Sequence, residues 1–499
     1  IVGTRLEGPM DKAGKVSLLT SFRQSVIEEG ASRLIDRPVP FFFNDLFVKM
    51  HGILSRNSRF SLTGLRTYDR GKLGEDTGSG PPDEIRWRNE AYGARYLFLP
   101  GTLPVLAEFM VSFSRFENEL GPSDLPIRAS TTSRINSEAN ITHYTAIGDV
   151  KWGLFVRTLE LTSDLGGLYQ DLRVENEFIT EAGLYVEPEF KLGAEMVLTP
   201  GLRIHNFPSK HAAFLEPRFR AVWKQGRHQV SGAVGLYHQE IVGINDRRDA
   251  TSVFTAWTAV PIDEVPQAFH MILGYRNRLT TGLEVAVEGY YKRLLNLFIA
   301  EWTAFPRLTT RLQQADGRVY GLDLRLELRR PHFYGYINYG LSSVQYNARQ
   351  ASLALWYGTE TLPFRPAHDR RHQLNVLTST RLLGFDLSAR WQFGSGLPFN
   401  RALGFDGFIL MDGTINVFKE QGDRRVIYEH PFNGLLPTYH RLDLSIERTF
   451  RFGRGSATVQ GSLINAYDRA NIFYLDVFTL QSAHQLPLIP SFGLKIEVD

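Results

Sequence analysis

The residues from Tyr320 to Arg329 read YGLDLRLELR, with Leu322, Leu324, Leu326 and Leu328 in one phase and Asp323, Arg325, Glu327 and Arg329 in the other. A period of two without a fault puts every leucine on one face of an extended chain and every charge on the opposite face. The pattern recurs. Leu283, Val285, Val287 and Tyr291 oppose Glu284, Glu288, Tyr290 and Lys292; Leu442, Leu444 and Ile446 oppose Asp443, Ser445 and Glu447; Phe492, Leu494, Ile496 and Val498 oppose Lys495 and Glu497. One such segment describes a half-buried strand of a soluble antiparallel sheet. These run to about 10 to 14 residues, however, the length of a tilted membrane crossing rather than the roughly 5 or 6 of a globular strand.

The connections sort into two kinds. Tight turns are expected at Pro9 to Lys15, Arg56 to Ser58, Pro100 to Leu103, Ala146 to Asp149, Leu192 to Ala194, Gln225 to His228, Arg278 to Gly282, Arg330 to His332, Leu382 to Gly384 and Arg451 to Gly455. Between them lie longer excursions: Glu28 to Pro40, Gly71 to Asp83, Glu117 to Thr131, Ile241 to Pro266, Leu295 to Asp316 and Pro398 to Thr438. A membrane barrel predicts this alternation of short periplasmic turns with long extracellular loops, whereas a sandwich or propeller does not.

Composition agrees. Aromatic residues make up 12%, with 34 Phe, 20 Tyr and 7 Trp, an excess that fits aromatic girdles at the two lipid interfaces. The mean hydropathy of -0.20 carries no spanning helix, yet a barrel keeps such a value because half of each strand faces a wet lumen. With 56 basic and 53 acidic residues the chain offers no electrostatic case for nucleic acid, and it contains no cysteine.

The expected fold is therefore all-β: a transmembrane antiparallel β-barrel of the 22-stranded type occupying residues 1–499, with about 21 strands present in this sequence. An odd number conflicts with the even parity that two periplasmic termini impose. An ascending first strand is accordingly expected before Ile1.

Several segments then resemble the TonB-dependent receptor family. RLEGPMDKAGKVSLLTSFRQS resembles the hairpin after that family's first barrel strand, and FFFNDLFVKMHGILS one of its descending strands. EAGLYVEPEFKLGAEMVLTPGLRIHNF, AFHMILGYRNRL with EVAVEGYYKRLLNL, and the closing DRRHQLNVL, RWQFGSGLPFN, LPTYHRLDLSIERTF and LINAYDRANIFY are similar to later strands in the same order. The resemblance implies an outer-membrane receptor of a Gram-negative bacterium that takes up a scarce ligand such as a metal chelate, siderophore, oligosaccharide or peptide. It also implies coupling to the TonB complex through an N-terminal plug, which is expected before Ile1. Two other readings are a plugless passive pore and a surface-assembly barrel that binds a lipoprotein partner.

No enzyme motif is present: H-E-x-x-H, P-loop, G-x-S-x-G and cysteine zinc patterns are all missing. No cofactor and no metal are expected, since His368 and His372 would stand roughly 13 Å apart on an extended chain. Asp369, Arg370, Arg371 and His372 read as the charged mouth of a strand. Recognition is placed in the loops, with Asp246, Arg247, Arg248, Asp249, Trp257 and Trp302 as candidate ligand-binding residues: Arg for an anionic ligand, aromatics for an apolar or sugar ligand. Salt-bridged loop packing is the plainer role for the same charges.

Overall fold

The computed structural model describes residues 2–26, 41–73, 83–165, 172–245, 249–261, 264–300, 312–349, 358–408, 423–428, 430–453, 455–477, 480 and 482–498. Among these residues one antiparallel sheet dominates, and it has 23 hydrogen-bonded segments. Two are short additions: Phe190–Leu192 continues the strand Arg173–Pro188, and Thr361–Phe364 pairs with the far end of Phe333–Arg349. The remaining 21 are wall strands, the number expected from the alternation. They reach 19 residues in Leu312–Arg330, longer than the alternating core alone required.

Every tight turn read from the sequence joins two neighbouring wall strands. The excursion expected at Glu117 to Thr131 is shorter, because strands Val105–Gly121 and Arg128–Thr145 run through its flanks and pair from Val105 with His143 to Leu120 with Arg128. Its Asn118 and Ser130 look like loop chemistry but are buried strand positions that face each other across this pair. The excursions at Ile241 to Pro266 and Pro398 to Thr438 contain small hairpins of their own, Ile241–Ile244 with Ala256–Ala259 and Ala402–Phe408 with Asp423–Tyr428.

Register fixes which face meets lipid. Leu322, Leu324 and Leu326 lie opposite Gly289, Val287 and Val285 on one neighbour and Leu341, Tyr339 and Ile337 on the other, giving a continuous apolar outer belt. Exposed aromatics gather beside the tight turns: Phe98, Tyr144, Phe190, Trp223, Phe333, Phe450 and Phe452. A ring of this kind sits at the headgroup level of a bilayer. The buried apolar core lies elsewhere, at the long-loop end, where Leu73, Ile85, Leu120 and Leu165 pack with Ile244, Phe254, Ala256 and Tyr474.

The two outermost strands run the same way. Val2–Pro9 ends at a tight turn, and Val498 pairs with Gly455 beside another, so both descend toward the tight-turn end. Among the described residues Val2–Pro9 pairs only with Val16–Gln24 and Ile489–Val498 only with Gly455–Ile464.

Candidate functional site: a capped cavity at the long-loop end

The chain leaves the wall after His238 and returns at Gln267. Between these points it crosses the lumen. Its hairpin segment Ala256–Ala259 packs against strands Arg128–Thr145, Gly148–Asp164 and Arg173–Pro188, while Asp249 pairs with Asp476 of the last loop. A segment can touch such widely separated parts of a ring only by passing through its interior.

Polar groups pin it there. The Ser163 hydroxyl donates to the Trp257 carbonyl at 2.9 Å and accepts from the Trp257 N–H at 3.1 Å. Glu177 accepts from the Ala259 N–H at 3.3 Å, and the Lys210 ammonium donates to the Val260 carbonyl at 2.5 Å. On the other side Arg128 donates to Asp249 at 2.8 Å, with both side chains almost fully buried, and the Tyr474 hydroxyl donates to the same carboxylate at 3.2 Å. Burial and the charges of Asp249 and Asp476 push the Tyr474 hydroxyl well above its usual range, so it stays a donor. Apolar packing completes the cap: Phe254 is fully buried among Leu73, Ile85 and Leu120, and Trp257 lies with Leu159, Leu161 and Ile179.

At the root of the cap stands Glu240, fully buried, with no hydrogen-bond partner on either carboxylate oxygen among the described residues. Burial first, and the charge of Glu181 next, raise it to about 8, against the pull of Lys210. It is therefore protonated at neutral pH.

Between the cap and the wall lies a cavity of about 860 Å³. Val242, Ile244 and Asn245 form its cap side; His270, Lys292, Phe298 and Tyr346 come from the wall. His368 completes it, 3.4 Å from the Tyr346 hydroxyl, with burial lowering its proton affinity so that the ring is neutral. A chamber that combines apolar and aromatic side chains with the Lys292 ammonium, its Asp249 carboxylate being already paired with Arg128, suits a planar or amphipathic ligand that carries negative charge.

Of the candidate residues read from the sequence, Asp249 forms the buried pair with Arg128, and Trp257 anchors the cap to Ser163. Asp246, Arg247, Arg248 and Trp302 lie outside the described residues. In the strand-mouth cluster, Asp369 is fully buried, accepting from the Val344 N–H at 2.8 Å and from Arg365 at 2.6 Å, while His372 bonds the Tyr339 hydroxyl. Sequence reasoning missed Arg128, Glu240, Lys292 and His270, which carry no local signal beyond being polar residues in strands or at their ends.

No sequence-family description and no curated protein matches the chain. Solved structures do. The FrpB iron transporter of Neisseria meningitidis superposes with a TM-score of 0.65 at 12% identity, over 99% of this chain and 77% of that one. The chain has the barrel fold of the TonB-dependent receptors. The ferric-catecholate import receptor Fiu of Escherichia coli K12 gives a TM-score of 0.64 at 11% identity, over 98% of this chain and 78% of that one. The siderophore receptor PirA of Pseudomonas aeruginosa gives 0.60 at 14%, over 94% and 73%. The receptor-barrel fold puts the tight turns on the periplasmic side and the capped cavity on the extracellular side.

Proposed function

We propose that this chain is the barrel of an outer-membrane receptor that binds a scarce extracellular ligand under its inward-folded loop and admits it to the periplasm. The observation that carries this reading is the cap itself. A passive pore needs an open aqueous lumen, whereas here the loop from Gln239 to Pro266 crosses the mouth and is held by a buried ion pair. The similar structures are named for iron and siderophore uptake, and the chamber's Lys292 ammonium and aromatic lining fit a metal chelate with anionic groups.

On this reading uptake is energised by the TonB complex acting on a plug within the lumen. A surface lipoprotein partner belongs to the competing assembly reading, for which no particular contact speaks.

The test is uptake of radiolabelled iron chelates by cells that carry or lack the gene, with and without a proton-motive-force uncoupler. Gene-dependent uptake that the uncoupler abolishes is expected. Uncoupler-insensitive flux that rises in proportion to solute concentration would show a pore instead.

A further inference from the structure

At the opposite end of the lumen, beside the tight turns at Gly226 and Gly282, a recess of about 720 Å³ is lined by Arg227, Arg276, Arg278, Arg325 and Arg329. Among the described residues only two carboxylates share it, Glu284 and Glu327. Glu284 takes Arg276 at 3.3 Å and Arg278 at 3.5 Å, and Glu327 takes Arg325 at 2.6 Å together with Arg329. Among the described residues Arg227 donates only to the Leu279 carbonyl, at 3.0 Å. The recess thus holds a local excess of three positive charges, and each guanidinium keeps N–H groups free for a further acceptor.

These groups occupy the lumen phase of their strands. Arg276 and Arg278 alternate with the lipid-facing Tyr275, and Arg325, Glu327 and Arg329 with Leu324, Leu326 and Leu328. A concave wall lined with one sign of charge focuses the field and raises the local concentration of counter-ions. Structural pairing would need one arginine for each carboxylate. Here there are more than two.

The same wall links this recess to the capped cavity. Along strand Leu283–Ala300 the lumen-facing positions run Lys292, Tyr290, Glu288, Ala286, Glu284: the first lines the cavity under the cap, the next three a middle recess of about 410 Å³, and the last the arginine recess. On the adjacent strand Val319 lines the cavity, Asp323 the middle recess, and Arg325 both the middle and the arginine recess.

We propose that the arginine recess is an oxyanion-binding basin at the periplasmic exit of the lumen, which receives the carboxylate or phosphate groups of a cargo after it leaves the capped cavity. Planar guanidinium forks match the geometry of such groups and bind them by charge-assisted hydrogen bonds. The cargo's role rests on the receptor reading; the basin's affinity for oxyanions does not.

Isothermal titration of the full-length receptor in detergent with inorganic pyrophosphate tests it. Saturable binding is expected at low salt, weakening as salt is added because the groups are solvated. Arg227→Gln with Arg278→Gln is the chosen variant, since Glu284 keeps Arg276 and Glu327 keeps both partners, so no carboxylate is orphaned. It should weaken pyrophosphate binding by about tenfold or more, while Arg56→Gln at a different tight turn should leave it unchanged. If assembly of that variant fails, Arg276→Gln alone, with Glu284 still paired to Arg278, gives the same comparison. Absence of pyrophosphate binding by the native protein, or equal affinity in native and variant, overturns the basin. Iron-chelate uptake intact without pyrophosphate binding sinks the basin alone; binding without uptake sinks the receptor reading alone.

Discussion

Arg128, at the start of a wall strand, and Asp249, in a loop 121 residues further on, meet at 2.8 Å inside the mouth of the barrel, both screened from water. Each would be costly alone: an unpaired buried charge destabilises by about 3–5 kcal/mol. Asp249→Asn keeps the shape and removes the charge, so it should release the cap without disturbing the wall. Hydrogen exchange at Ala256–Ala259 is expected to accelerate on the order of a hundredfold, which is what about 3 kcal/mol corresponds to, while the barrel still shows its heat-dependent shift on gels. Unchanged exchange would mean that the apolar contacts of Phe254 hold the loop by themselves.

Glu240 gives the cap a pH dependence whose sign follows from its environment. Its folded value of about 8 lies above its ordinary 4.5, so the folded state holds the proton more tightly than the unfolded one. Its stabilising contribution is complete below about pH 4.5, declines as pH rises from there toward 8, and is gone above that. Glu240→Gln should remove this slope. Monitoring exchange of the cap from pH 5 to 9 in both proteins decides the matter, and parallel profiles would assign the pH dependence to another group.

The wall was legible because its cause is local. A strand between lipid and water must alternate at every residue, so Leu322 to Arg329 announces both its conformation and its two faces without reference to any other segment. The tight turns were equally plain, being short and polar. The cap was not. Asp249 and Arg128 carry no mark that joins them, and the charged run at Asp246 to Asp249 reads the same in sequence whether it greets a ligand or packs a loop. Lys292 looks like any other lumen-facing polar residue until the loop folds over it and makes it the ammonium group of a chamber. Long-range folding of a loop into a barrel is set by which apolar side chains meet, here Phe254 with Ile85 and Leu120, and that pairing is not encoded in a period.

The turn at Gly282 is more demanding than its length suggests. Its φ of 87° lies in the left-handed region, and a Cβ there would stand 2.1 Å from the Arg329 carbonyl oxygen, which no side-chain movement can relieve. Gly282→Ala should therefore cost about 1–3 kcal/mol or more in barrel stability. It should also shift the register in which Leu283 faces Leu328. Chemical unfolding of the refolded barrel measures the first effect; a midpoint equal to that of the native protein would show that the turn relaxes freely.

Depth in the membrane supplies the sharpest test of which face meets lipid. Leu324 sits six residues before the turn at Arg330, which for a tilted strand places it about 15 Å above that end, near the middle of an apolar band about 25 Å tall. Leu328, two residues from the same turn, lies at the interface. Arginine at the first position has to be carried into hydrocarbon, at about 2–4 kcal/mol, whereas at the second its guanidinium reaches the headgroups for about 0–1 kcal/mol. The lumen-facing Asp323 is one residue away and already polar, so Asp323→Arg should cost far less than Leu324→Arg despite the same final side chain. Unfolding free energies of the three variants refolded in phosphatidylcholine bilayers should rank Leu324→Arg well below the other two. Equal stabilities for Leu324→Arg and Asp323→Arg would mean that both faces of this strand meet water, and the lipid-belt assignment of Leu322, Leu324 and Leu326 would fall with that result.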